Sequence, residues 1–229
     1  MPPRDNTERS GLFYAESDEL RPIRFDERWS EIREIGDFRP DDHVLDVGCA
    51  EGLITLEIAA LVERVDGFEV KDVRIAEAKR LAAERGITNA HFAAVSVDTH
   101  PFEPASYDVI LFMDVWGKEL GGGRTVGAEH LGRILDAARR QVIFRAGVQG
   151  DPEREARLPE VLSVCDEHGF DALAFSRRRH KRGRTRNSLI IANRRGTDAR
   201  SGVLPRIVLV PTAQLADHPV VRASAGWDE

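Results

Sequence analysis

The chain has 229 residues, 41% of them hydrophobic, which is enough for one domain with a substantial core. Its formal net charge of −6 makes it a poor general binder of nucleic acid, whose phosphates are held mainly by Lys and Arg. The two cysteines, Cys49 and Cys165, are too few for a disulfide framework, and no apolar run of about 20 residues would span a bilayer. We therefore expect a cytoplasmic protein with no structural metal and no membrane association.

Short apolar runs alternate with amphipathic segments from residue 43 onward, which predicts βαβ units and a mostly parallel sheet. Helices are predicted at 53–64, 71–86, 128–140 and 153–169. The last two strand-like runs have no room for a helix between them, so we expect them to pair as an antiparallel hairpin. The predicted strands are 43–48, 65–70, 90–95, 107–114, 141–147, 170–178 and 187–194.

Two segments of different character flank this series. Residues 1–39 are acidic, with one amphipathic stretch at 25–38, and are expected to form a helical lid. Residues 196–229 contain one strand-like run, RIVLV, between two prolines, which confine such a strand to a sheet edge or an extended arm. The predicted organisation is thus a lid, a central domain at 40–195 and a C-terminal extension.

The stretch HVLDVGCAEG, residues 43–52, joins a strand that ends in Asp46 to a helix through a turn of small residues. Such a turn lets main-chain N–H groups face a ligand, which a Cβ on Gly48 would obstruct. Glu69 follows Gly48 by 21 residues, at the tip of the next strand, where α/β proteins hold ribose hydroxyls. Together the two acids predict a nucleoside site at the carboxyl ends of the strands.

The loop favours a cationic nucleoside over a dinucleotide. A dinucleotide site has the pattern G-x-G-x-x-G, with a pyrophosphate near the start of the following helix. Glu51 stands at that place and would repel a pyrophosphate. A nicotinamide dehydrogenase is therefore the weaker interpretation, and the terminal hairpin also argues against it.

VLDVGCAEG resembles the first motif of the class I S-adenosylmethionine-dependent methyltransferases, and the resemblance extends over about residues 40–195. It implies an α/β fold with a Rossmann-like, doubly wound sheet of seven strands in the order 3-2-1-4-5-7-6, the seventh antiparallel. It also implies S-adenosyl-L-methionine as cofactor and S-adenosyl-L-homocysteine as product.

The resemblance assigns cofactor contacts residue by residue. The first motif supplies the methionine end and Glu69 the ribose, while the segments AAVSVDTHPF and YDVILFMDVW supply the adenine and methyl-donor sides. Ala50 stands where the family usually has Gly, and Ser96 where many members have Asp. Cys49 is interpreted as a small packing residue and not as a nucleophile, and Met113 fits the core as well as it fits the cofactor wall. The predicted cofactor contacts are Asp46, Gly48, Cys49, Ala50, Gly52, Glu69, Val70, Ser96, Val97 and Met113.

Methyl transfer depends mainly on in-line positioning and exclusion of water. A hydroxyl acceptor would benefit from a general base, for which Asp114 is favoured over His100 and His180. Substrate contacts are expected from the lid, the hairpin tip and the loop 116–127, whose glycine run predicts a mobile gate. The candidate substrate residues are Trp29, Trp116 and His180.

The predicted hairpin tip, RRRHKRGRTR at 177–186, has seven Lys or Arg in ten positions. It indicates either capture of phosphate, on RNA or on an anionic small molecule, or a solvated turn that balances the acidic body. No aromatic side chains are interleaved with the charges, which disfavours RNA. The sequence thus predicts methyl transfer to an O or N atom of a small-molecule or sugar-like acceptor. RNA methylation and a non-catalytic binding module are the alternatives.

Overall fold

The computed structural model describes residues 21–121, 124–145, 158–175 and 189–199. The first part of the predicted lid, the basic turn with His180 and most of the C-terminal extension lie outside these residues, and the predicted domain boundaries stay predictions. The elements are α1 (Arg21–Ile35), β1 (His43–Val47), α2 (Leu53–Ala59), β2 (Arg64–Glu69), α3 (Asp72–Glu84), β3 (Ala90–Ala94), β4 (Tyr107–Phe112), β5 (Glu119–Gly121), β6 (Arg124–Thr125), α4 (Ala128–Ala137), β7 (Ala138–Arg145), α5 (Leu158–Glu167), β8 (Phe170–Phe175) and β9 (Leu189–Arg194).

Seven strands form one sheet in the order β3-β2-β1-β4-β7-β9-β8. The first five are mutually parallel, and β9 runs antiparallel to both β7 and β8. Numbered without the small β5–β6 hairpin, this is the order 3-2-1-4-5-7-6 with the seventh strand antiparallel. The predicted fold class and topology are confirmed.

Both faces of the central strands are buried, because alternate side chains point to opposite faces and helices cover each face. One face packs Val44, Val109 and Ile143 against residues of α1 and α2. The other packs mainly β4 and β7 residues against α4 and α5. The helix expected in the lid, α1, is part of the core on the first face, where Ile32 and Ile35 are buried.

Two predicted helices end three or more residues earlier than the sequence indicates, and tertiary contacts explain both. The predicted helix 53–64 stops at Ala59, where the Asn89 side-chain amide donates to the carbonyl oxygens of Ala59 and Val62 at 2.8 and 3.0 Å. The predicted helix 128–140 stops at Ala137, and the Arg194 guanidinium from β9 donates to the carbonyls of Leu135 and Ala138. These distant donors satisfy carbonyl groups that a helix end leaves exposed.

The described part of the predicted gate, the loop 116–127, forms the antiparallel hairpin β5–β6. Gly117 N donates to Val126 O at 2.8 Å, and Val126 N donates to Lys118 O at 2.9 Å. Arg124 also forms an ion pair with Asp98, in the segment after β3. The loop is thus tied to the body of the sheet at its base. None of the helices in the described ranges is long and apolar enough to cross a membrane.

Candidate functional site

A cleft opens at the carboxyl ends of β1, β2 and β4. In the sheet, β2 lies on one side of β1 and β4 lies on the other side. The cleft is therefore at the point where the order of the strands in the sheet reverses direction. Open α/β sheets bind ligands at this point. The residues that line the cleft are Arg28, Asp46, Gly48, Cys49, Ala50, Ile54, Glu69, Arg74, Met113, Asp114 and Lys118.

Asp46 is buried at the end of β1, between Gly67 of β2 and Leu111 of β4. The Thr55 hydroxyl, in α2, donates to Asp46 Oδ2 at 2.6 Å. Burial raises the pKa of Asp46 to about 6, and the negative charge of Glu69 adds to this rise, while the Thr55 hydrogen bond and the charge of Arg28 oppose it. Asp46 therefore titrates close to neutral pH and is held by the helix that follows its own strand.

Gly48 adopts a left-handed conformation, with φ of 77°, directly beneath Val115. A Cβ at this position would lie 2.5 Å from Val115 Cγ2. Gly48 N and Cys49 N both donate to the Phe68 carbonyl, at 2.8 and 3.0 Å. The prediction that the N–H groups of the turn face a ligand is therefore wrong for these two. They fasten the turn to β2, and the close neighbour of Gly48 is a side chain of the protein itself.

The rest of the turn is shaped by packing beneath it. Ala50 has a φ of 51°, so it takes the left-handed conformation of the family's usual glycine, at a cost of about 1–2 kcal/mol. A Cβ on Gly52 would lie 2.7 Å from the Phe92 ring, so close packing also requires that glycine. Cys49 is buried, and burial with the nearby carboxylates raises its pKa well above the usual value, so it stays a neutral thiol.

Glu69 lies at the end of β2, with its side chain only 7% exposed. Its Oε1 accepts from Val70 N at 2.9 Å and from Lys71 N at 3.4 Å, and its Oε2 is 3.3 Å from Arg74 Nη1. The carboxylate is thus oriented by the backbone on one oxygen and by a guanidinium on the other. Its position beside Asp46 in the same cleft is the one that the sequence predicts.

Glu51 does not project from the start of α2 into the cleft, where it was expected to repel a pyrophosphate. It is 1% exposed, and its Oε1 lies 3.7 Å from Arg74 Nε. The nearby guanidinium offsets its charge, so Glu51 is weaker evidence against a dinucleotide than the sequence suggests.

Asp114 follows β4 in a left-handed conformation, with φ of 57°, which Asp tolerates better than most residues. Its Oδ2 lies 2.9 Å from Arg28 Nη2, in α1, and 3.6 Å from Arg145 Nη1, at the end of β7. Arg145 also lies 3.3 Å from Glu31 Oε2, so two ion pairs connect α1 to the strand ends. The predicted general base therefore reaches the cleft as the partner of two arginines.

Several predicted site residues lie away from the cleft wall. Val97 is buried in the core, and Ser96 Oγ accepts from Asp98 N at 3.2 Å. Trp116 is 2% exposed inside the core, and Trp29 packs against the core from α1. Val70, which follows Glu69, is 61% exposed, but it also is not among the residues that line the cleft.

The alternative base His100 stacks on Phe68 with ring centroids 4.7 Å apart, and its Nδ1 accepts from Phe102 N. Burial lowers the pKa of His100. It belongs to an aromatic cluster and does not line the cleft. The structure thus brings Asp46, Glu69 and Asp114 together with Met113 and the first-motif turn. The two predicted substrate tryptophans pack in or against the core.

Sequence reasoning missed four cleft residues: Arg28, Arg74, Lys118 and Ile54. Arg74 carried a usable signal, since a cation in the first turn of a helix opposes the helix dipole and needs another reason to be there. Partial burial lowers the pKa of Lys118, although the side chain as a whole is exposed. Within the described ranges, no group of three or more His, Cys, Asp or Glu is arranged to hold a metal ion.

Comparison with known families agrees with this geometry. Residues 44–142, from β1 into β7, match the model of a family described as a methyltransferase domain. The resemblance of the first motif to class I S-adenosylmethionine-dependent methyltransferases is therefore confirmed over residues 44–142. Members of that class use S-adenosylmethionine as the methyl donor.

Solved structures share this fold. Magnesium protoporphyrin IX methyltransferase from Synechocystis PCC 6803, solved with bound S-adenosylmethionine, is 20% identical, with a TM-score of 0.55 over 75% of this chain and 78% of that one. The YcgJ protein from Bacillus subtilis is 12% identical, with a TM-score of 0.55 over 77% of this chain and 100% of that one.

One curated relative is more similar in sequence over a short stretch. Over 61 residues the chain is 41% identical to the 23S rRNA (uracil(1939)-C(5))-methyltransferase RlmD of Xanthomonas oryzae pv. oryzae. The match covers 27% of this chain and 14% of that protein, so the chain spans about a seventh of the relative's length.

Proposed function

We propose that the chain binds S-adenosylmethionine in this cleft and transfers its methyl group to an O or N atom of a small-molecule or sugar-like acceptor. The observation that carries the proposal is the placement of two buried acids, Asp46 and Glu69, at the tips of adjacent parallel strands and in one cleft. In this proposal, Glu69 binds the ribose hydroxyls and Asp46 lies near the methionine end.

The charges in the cleft fit this cofactor. Asp46, Glu69 and Asp114 favour a ligand with cationic sulfonium and ammonium groups, whereas Arg28 and Lys118 can meet a carboxylate. Ile54 and Met113 provide apolar wall between these groups, and the exposed Val70 is available to cover adenine. When bound, S-adenosylmethionine supplies an electrophilic methyl group.

The contribution of the protein to the transfer is mainly positioning and exclusion of water. Asp114 stays the predicted base for a hydroxyl acceptor. Its Oδ2 lies 2.9 Å from Arg28 Nη2, and each carboxylate oxygen has a second acceptor position, so we propose that Asp114 takes the proton while the guanidinium stays in place. An acceptor that ionises easily needs no base.

The proposal is tested by calorimetric titration of purified, nucleic-acid-free protein with S-adenosylmethionine and S-adenosylhomocysteine. Both are expected to bind, and Glu69→Ala is expected to lose most of the affinity because it removes a bidentate, charge-assisted contact. Glu84→Ala, an exposed acid of α3, is the matched control. Binding of NAD without binding of either adenosyl ligand would overturn the proposal.

RNA is the second candidate acceptor, and the match to an rRNA methyltransferase is the observation that favours it. Transfer of a radioactive methyl group to bulk rRNA, compared with transfer to hydroxylated and anionic small molecules, separates the two. Replacing the arginines of segment 177–186, which the sequence predicts to be a turn, should leave cofactor affinity unchanged and reduce turnover only if that segment holds the acceptor.

We also propose a cytoplasmic location. Cys49 and Cys165 are both buried free thiols, which suits a reducing compartment. Fractionation of the native protein with a soluble cytoplasmic marker would support this, and recovery with an exported fraction would contradict it.

A further inference from the structure

Arg74 joins two buried carboxylates from different segments of the chain. Its Nη1 lies 3.3 Å from Glu69 Oε2, at the end of β2, and its Nε lies 3.7 Å from Glu51 Oε1, in the turn before α2. The three side chains are 14%, 7% and 1% exposed, respectively. One guanidinium therefore connects the first-motif turn to Glu69, the acid proposed to bind the ribose.

The position of Arg74 on its helix makes this arrangement notable. It is the third residue of α3, whose amino end carries partial positive charge, so a cation here is disfavoured by the helix itself. Two buried acids must be compensated nearby, because buried charges without a partner are costly. A planar guanidinium can point different N–H groups at two carboxylates at once, which a lysine ammonium does less well.

The contacts of Glu69 show what the bridge does to the carboxylate. Backbone N–H groups hold Oε1, and Arg74 holds Oε2, so the plane of the carboxylate is fixed from both sides. A carboxylate has about four acceptor positions, so it can receive ligand hydroxyls without releasing the guanidinium. A carboxylate fixed in this way loses little rotamer freedom when a ligand binds.

We infer that Arg74 is a positioning residue that acts through Glu69 and sets the preference of the cleft for a ligand with an intact ribose. This rests on the proposed binding of S-adenosylmethionine. Arg74 makes its contribution through the orientation and charge of Glu69, with Glu51 as the second anchor of its guanidinium. Its loss should therefore affect recognition of the ribose hydroxyls more than recognition of the rest of the ligand.

The test compares two ligands by calorimetric titration: S-adenosylhomocysteine and its 2′,3′-dideoxyribose analogue. The wild-type protein should strongly prefer the first ligand. Arg74→Met should reduce this preference about 10-fold, mostly through weaker binding of S-adenosylhomocysteine. Arg74→Lys keeps the charge and should recover part of the preference. In a Glu69→Gln background, Arg74→Met should change the preference little further.

Arg80→Met is the matched control, because Arg80 lies on the same helix and pairs with Glu77 and Glu84 at the surface. It should leave the preference unchanged. Circular dichroism and urea unfolding establish that each variant is folded, and Arg74→Lys provides the comparison if Arg74→Met does not fold.

The outcomes separate this inference from the proposed function. If the wild-type protein binds neither ligand, cofactor binding is refuted and the role of Arg74 falls with it. Suppose that the wild-type protein binds S-adenosylhomocysteine, and that Arg74→Met weakens the binding of both ligands equally. Arg74 is then structural only, and Arg74→Lys gives the same test if Arg74→Met does not fold. A preference that is unchanged in both Arg74 variants also overturns the inference.

Discussion

The Thr55 hydroxyl, in α2, donates a 2.6 Å hydrogen bond to Asp46 Oδ2, in β1. This contact connects the first strand of the site to the helix that follows it. Both side chains are buried. The hydrogen bond stabilises the ionised form of Asp46 against the desolvation that raises its pKa to about 6. The charge state of this acid therefore links the stability of the domain to its affinity for a cation.

Thr55→Val should reduce the free energy of unfolding by about 1–3 kcal/mol at pH 8, because it leaves a buried carboxylate without its donor. The loss should be smaller at pH 5, where Asp46 is largely protonated. Urea unfolding at both pH values measures the difference, with Thr55→Ser as a control that keeps the hydroxyl. Equal losses at the two pH values would mean that the hydrogen bond does not depend on the charge of Asp46.

Asp46→Asn should remove a pH dependence of stability. The folded-state pKa of about 6 is above the unfolded value, so the contribution of Asp46 is fully present below about pH 4 and is lost as the pH rises through 6. The shift corresponds to roughly 3 kcal/mol between these limits. The unfolding free energy of the wild type, minus that of the variant, should fall by this order from pH 4 to pH 7. A constant difference would rule out the raised pKa.

Affinity for S-adenosylmethionine should rise between pH 5 and pH 7, because a cationic ligand favours ionised Asp46. The ligand's own α-carboxyl and α-amino groups titrate outside this range, near 3.5 and 8. Calorimetry in buffers of different ionisation enthalpy should detect proton release on binding at pH 5.5. In Asp46→Asn the affinity should be lower and independent of pH. Persistence of the same pH dependence in that variant would assign it to another group.

Gly48→Ala should destabilise the domain by about 2 kcal/mol or more, since it adds a side chain to a left-handed backbone and a contact of 2.5 Å with Val115. Val115→Ala removes the atom that is approached. In urea unfolding, the double variant should lose less than the sum of the single losses. Strict additivity would show that Val115 is not what requires the glycine.

Asp114→Asn should reduce stability by about 1–3 kcal/mol, because the buried Arg145 loses an acidic partner and keeps Glu31. The loss of stability should be smaller in an Arg28→Met background, where the ion pair between Arg28 and Asp114 is already absent. Asp171→Asn, which removes one partner of the exposed Arg195, is the control and should change stability little. An equally small effect at Asp114 would show that the network does not hold α1.

The order of apolar runs predicted a mostly parallel sheet that ends in an antiparallel hairpin, whereas the order of the seven strands followed from the resemblance to the methyltransferase family. The spacing of Asp46 and Glu69 predicted that they share a cleft, since the tips of neighbouring parallel strands lie at one edge. These are local or nearest-neighbour properties, and they are readable along the chain.

Only the tertiary structure decided how the cleft is held. Arg28 contacts Asp114 across 86 residues, Asn89 ends α2, and Val115 requires the glycine at position 48. Each of these depends on which side chains meet after the chain has folded, and no local periodicity encodes that. For the same reason, the sequence predicted that Trp116 contacts the substrate, whereas the structure places it in the core.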